Sequence, residues 1–134
     1  MNEDQRHPHD FFLGDTLIGR ADLGVDRSMG MLMGTFRPTE GYGEIQPFFQ
    51  EFSQLLVTYG LSGGHQVRID EMRREWQTLD LRCVDAASGR MLLAEWIQID
   101  DFAQDLDVDA QWVTVHIENR DYWENYDRLR LERG

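Results

Sequence analysis

The stretch EIQPFFQEFSQLLVTYG, residues 44–60, is the one whose reading decides the fold. Phe48, Phe49, Phe52, Leu55, Leu56 and Tyr59 recur at helical steps along one stripe, with Gln50, Glu51, Gln54 and Thr58 opposite. Pro47 suits a first turn, where its missing N–H is no loss, and Gly60 suits the residue just past a helix end. Large apolar side chains contribute about 1.5–3 kcal/mol each when fully buried, so this stripe represents on the order of 10 kcal/mol. The expectation is one long amphipathic helix over residues 44–60 and a sheet for it to cover.

The flanking segments supply that sheet. Residues 10–23, with Phe11, Leu13, Leu17 and Ile18, read as one extended, irregular strand with a bulge at Gly14 or Gly19. GVDRSMG (24–30) reads as a turn and MLMGTF (31–36) as a second strand ended by Arg37-Pro38. Thr39 and Gly43 are the candidate caps of the helix. Beyond it, Ile69, Met72 and Trp76 at helical spacing favour a short helix in 67–76 over a strand.

Leu79, Leu81 and Cys83 alternate with polar residues, and Met91–Ile99 is apolar on both faces, so the two read as a hairpin around Asp85–Gly89. In that hairpin 91–99 is the central strand. Residues 111–118 alternate again, with Val113, Val115 and Ile117 on one face and Trp112, Thr114 and His116 on the other. The tail of the chain reads as a turn over 119–125 and a last strand around Leu129 and Leu131.

The fold expected is α+β: a mostly antiparallel sheet of four to six strands with the 44–60 helix packed on one face. A half-closed β-barrel holding the helix is the alternative. Residues 1–9 read as a mobile tail and 10–134 as a single globular domain.

Charge narrows the function classes. There are 25 acidic residues against 13 basic ones, a net charge of −12, and every base is arginine. That balance repels phosphate backbones, so no nucleic-acid partner is expected. The longest apolar run is far below a membrane span, and the acidic start MNEDQRHPHD is no secretory signal, so no membrane partner is expected and a cytoplasmic location is the default. A lone cysteine, Cys83, agrees with a reducing compartment and reads as an inert core thiol. Seven of the acids and no arginine fall between Met91 and Asn119, which would suit a basic protein partner or a solvated loop.

Motifs are sparse. Neither glycine loop flanking the helix matches a phosphate-binding fingerprint, and Ser62 and His65 lack a third group to complete a nucleophilic site. His7 and His9 lack further ligands. Asp105, Asp107 and Asp109 open like a calcium loop, but Ala110 stands where glycine belongs and His116 where a bidentate glutamate belongs. No metal site, cofactor or catalytic set is therefore expected.

Glu95 interrupts an apolar strand and would titrate high if buried. Trp96, Trp112 and His116 could share one face if strands 91–99 and 111–118 are neighbours. Glu95, Trp96, Trp112 and His116 are thus the candidate ligand-binding residues, for a small planar molecule. The function expected is a non-enzymatic protein-interaction module or homo-oligomer subunit; a small-molecule-binding domain or unrecognised enzyme with an aromatic pocket is the alternative.

Overall fold

The structure is a computed structural model that describes residues 6–59, 63–92, 94–102, 111–117 and 122–123. It is α+β, a curled antiparallel sheet forming a half-barrel around two helices. The strands are β1 (His7–Leu13), β2 (Thr16–Asp26), β3 (Met31–Thr35), β4 (Arg37–Pro38), β5 (Leu81–Asp85), β6 (Trp96–Asp101) and β7 (Gln111–His116). They run in the order β5-β1-β2-β3-β7-β6, and the two-residue β4 pairs with β2. The helices are α1 (Gln46–Tyr59) and α2 (Gln66–Thr78).

Several expectations are corrected. The extended stretch 10–23 is a hairpin: Gly14 takes φ +60° at its tip, which glycine adopts without penalty. The register shifts between Phe11 and Phe12 in that pairing, so the irregularity is real but lies opposite Ile18. His7, Pro8 and His9, expected in a mobile tail, are already strand. They pair with Leu23, Asp22 and Ala21. Pro8 is tolerated there, since a strand's first residues need not donate to a ladder.

The second correction concerns the helices. The short helix read in 67–76 is present but nearly as long as α1, 13 residues against 14, so among the described residues no single long helix dominates. Only Phe49, Phe52 and Ser53 of α1 are buried; Phe48, Leu55, Leu56 and Tyr59 are half-buried. The aromatic centre of the core is Trp76 of α2, with ring centroids 4.7 Å from Phe49, 4.8 Å from Phe52 and 5.2 Å from Trp96. A bidentate contact joins the helices on the solvent side, Arg68 donating to both oxygens of Glu51 at 2.8 and 3.0 Å.

The third correction is the hairpin of 79–83 with 91–99. β5 instead pairs with β1, and among the described residues the expected ladder is reduced to the Val84–Met91 bridge with its flanking hydrogen bonds Asp85 N–H to Arg90 O and Leu92 N–H to Cys83 O. β6 pairs with β7 and lies at the end of the sheet, not its centre. Its apolarity has another cause. The helices lie along that open edge, where Trp76 donates its indole N–H to Ile97 O at 2.7 Å and Ser53 Oγ accepts the Asp101 N–H at 2.9 Å. Side chains thus take up groups that would otherwise offer themselves to another strand. At the other end, the Leu92 main-chain N–H donates to Cys83 O at 2.8 Å and so covers β5 with main chain.

Candidate functional site

Alternation assigns each strand of the second half-sheet two faces. Ile97, Ile99 and Asp101 of β6, with Val113 and Val115 of β7, are buried inward. Trp96, Gln98 and Asp100, with Trp112, Thr114 and His116 and with Met31, Met33 and Thr35 of β3, form the outer face. Met33 and Trp112 remain 38% and 40% exposed there.

A groove of about 530 Å³ opens where β2 crosses from β1 to β3, lined by Arg6, Asp22, Met33, Gly34, Thr35, Arg37, Trp112 and Thr114. Its floor depends on Gly34. A Cβ there would lie 2.3 Å from Asp22 O, so the main chains approach this closely only because glycine has no side chain. Arg6 crosses the join, its Nη1 donating to Met33 O at 3.1 Å and to Asp22 O at 3.5 Å. Arg37 Nη1 reaches Asp22 Oδ2 at 3.3 Å, both side chains about half exposed. Trp112 stands at the far end, 5.6 Å from Phe102 between ring centroids, and its indole hydrogen-bonds to the Asp100 carboxylate. Burial raises the Asp100 pKa above its ordinary value, opposed by hydrogen bonds from Gln98 and Trp112.

Of the four residues selected from sequence, Trp96, Trp112 and His116 lie on the outer face and Glu95 just precedes β6. Trp96 and His116 are direct cross-strand partners. Trp96 stacks on Trp76, and its indole N–H goes to Gln98 Oε1 at 3.2 Å. Trp112 sits opposite Asp100, four residues from His116, which is on the order of 13 Å along a strand. Of the four, only Trp112 lines the groove. Glu95 is exposed at the start of β6, its main-chain N–H donating to His116 O at 2.9 Å. The remaining lining residues were not selected from sequence. The period of two in 31–35 does place Met33 with Thr35, but nothing local signals that Arg6 and Arg37 converge on Asp22.

A second polar cluster lies on the inner face. Asp101 is 1% exposed, and its Oδ2 accepts from the Tyr42 hydroxyl at 2.6 Å, Gln111 at 3.0 Å and Gln46 at 3.2 Å. Burial, and then the Asp101 carboxylate, push the Tyr42 hydroxyl far above the ordinary tyrosine range. Ser53 completes the cluster, donating to Phe49 O at 2.7 Å while accepting from Asp101 N–H. Among the described residues no buried side-chain polar atom lacks a partner. This cluster ties α1 to β6 and β7.

The other chemical candidates find places as follows. Cys83 is fully buried, and burial pushes its thiol up, away from reactivity. His9 is buried, its Nδ1 2.8 Å from His7 O, and burial lowers its pKa. His65 takes φ +56° at the start of α2 and packs on Tyr59 at 4.0 Å. Ser62, the Asp105–Asp109 triplet and the last strand expected around Leu129 and Leu131 lie outside the described residues. Among the described residues no three His, Cys, Asp or Glu side chains gather as a metal site, and no helix is long and apolar enough to cross a membrane.

The groove lining offers guanidinium and hydroxyl donors, one carboxylate and an aromatic surface. Comparison with protein-family models, curated proteins and solved structures finds no match.

Proposed function

We propose that the protein is a non-enzymatic protein-interaction module that presents the outer face of β3, β7 and β6 to a partner. The observation carrying this reading is the exposure of Met33 and Trp112, at 38% and 40%, on a sheet face beside edges already covered. Edge pairing is thereby disfavoured as a mode of association, and an apolar face flanked by polar residues is the ordinary alternative. The net charge of −12 makes a basic partner the better fit. A second copy would bring the same charge and be repelled, so self-association is the weaker form of the reading. The lone buried thiol supports a reducing compartment such as the cytoplasm.

The test is native mass spectrometry of the protein purified gently from its own host, followed by hydroxyl-radical footprinting of any complex. A retained basic protein that shields Met33 and Trp112 from oxidation, and that is lost from the Met33→Asp variant, supports the reading. A partner that stays bound to Met33→Asp, or shielding confined to α1 and α2, defeats it.

A further inference from the structure

We propose that the groove over Gly34 is a binding site for a small planar monoanion, an aromatic carboxylate held by Arg37 and Arg6 with its ring against Trp112. This goes beyond the interaction reading and does not depend on it. The groove holds about 530 Å³ and is open to solvent along one side.

The charge arrangement specifies the anion. Arg6 spends its hydrogen bonds on two main-chain carbonyls, Met33 O and Asp22 O, which leaves its charge uncancelled by them. Arg37 shares the Asp22 carboxylate through a contact of 3.3 Å, with about half of each side chain in solvent. Two guanidiniums and one carboxylate leave the groove at +1, which balances a monoanion; a dianionic phosphate would be left in excess beside Asp22. Asp100 adds a carboxylate at the far end of the groove, where it is already engaged by Gln98 and by the Trp112 indole. A planar carboxylate matches the guanidinium fork, with two parallel N–H donors meeting two oxygens.

The ring follows from the other end. Trp112 is positioned by Phe102 and by its hydrogen bond to Asp100, so it offers an aromatic surface already set in place. Met33 adds a polarizable thioether beside it, and Thr35 and Thr114 supply hydroxyls between the two ends. Gly34 keeps the floor open.

The probe is 2-naphthoate, titrated into the full chain while the Trp112 indole N–H and the Thr35 and Thr114 amides are followed by NMR. 2-Naphthamide, which has the ring without the charge, and acetate, which has the charge without the ring, are the comparisons. The expected result is a saturable shift at all three positions with 2-naphthoate, and binding weaker by about tenfold or more with either comparison compound. Arg37→Gln should weaken 2-naphthoate by about tenfold with Tm nearly unchanged, Arg37→Lys should recover part of it, and Trp112→Leu should lose the ring's contribution. Equal binding of amide and carboxylate, equal binding by Arg37→Gln, or shifts that never saturate would each overturn the proposal. Failure here with the partner still lost from Met33→Asp would remove the groove site alone.

Discussion

Asp101 and Asp22 are the same residue type on opposite faces of one sheet, and they end in different roles. Asp101 faces inward at 1% exposure and accepts from Tyr42, Gln46 and Gln111 at 2.6–3.2 Å. Asp22 faces outward, half exposed, and meets Arg37 at 3.3 Å. Buried polar groups must be satisfied by the protein, so the inner carboxylate locks α1 against β6 and β7. Exposed ion pairs are weak and exchangeable, so the outer one can release Arg37 to a ligand. Burial, not residue identity, divides structure from binding capacity here.

The largest expected effect breaks the inner cluster. Asp101→Ala leaves the Tyr42 hydroxyl and the Gln46 and Gln111 amides without this acceptor and should destabilise the fold by roughly 3–5 kcal/mol in urea denaturation. A loss below about 1 kcal/mol would mean that the cluster does not hold the helix to the sheet. Next comes the floor of the groove. Gly34→Ala puts a methyl group 2.3 Å from Asp22 O, which forces the main chains apart at a loss of about 1–3 kcal/mol. Unchanged stability with unchanged amide shifts across Asp22–Gly24 and Met33–Thr35 would refute that close approach.

The inner face should also respond to acid. His9 titrates below the ordinary 6.5 because burial disfavours its charged form, against the raising influence of its bond with His7 and the nearby Asp85 and Asp10. The unfolded chain therefore takes up the proton first. Stability present above pH 6.5 is lost as pH falls through 6.5 towards the folded value. His9→Phe should flatten that limb of the stability profile, and an unchanged limb would assign it to other groups.

Asp100, beneath Trp112, has the opposite sign. Its folded pKa is raised from 3.8, so stability falls as pH rises from 3.8 through the folded value. Asp100→Asn should therefore be at least as stable as the parent at neutral pH, while keeping an oxygen for Trp112. The smallest effect belongs to the outer pair. Arg37→Gln should change stability by less than about 1 kcal/mol, because its ion pair is exposed. A larger loss would make Asp22 a structural group like Asp101 and erase the contrast.

Local signals in the sequence carried far within single elements and poorly between them. The stripe of 48–59, the helix around Trp76 and the alternation of 111–117 were legible because periodicity records which side of an element meets the core. Pairing was not legible in the same way. Met91–Ile99 is apolar on both faces, which resembles a central strand; it is partly a loop and partly an edge strand covered by Trp76 and Ser53. Periodicity reports that a surface is covered, not what covers it.

The candidate site shows the same division. Trp112 was marked from sequence by its place on the polar face of a strand, but Arg6, Asp22, Gly34 and Arg37 carry no mark of their own. What the sequence by itself determined was the class α+β, the principal amphipathic elements and the acidic character of the chain. Tertiary structure alone decided that β2 runs from one half of the sheet to the other. That crossing brings residues 6, 22, 34, 37 and 112 to one groove. The reason is physical: a strand's period specifies its faces, while its partners follow from where its neighbours bury theirs.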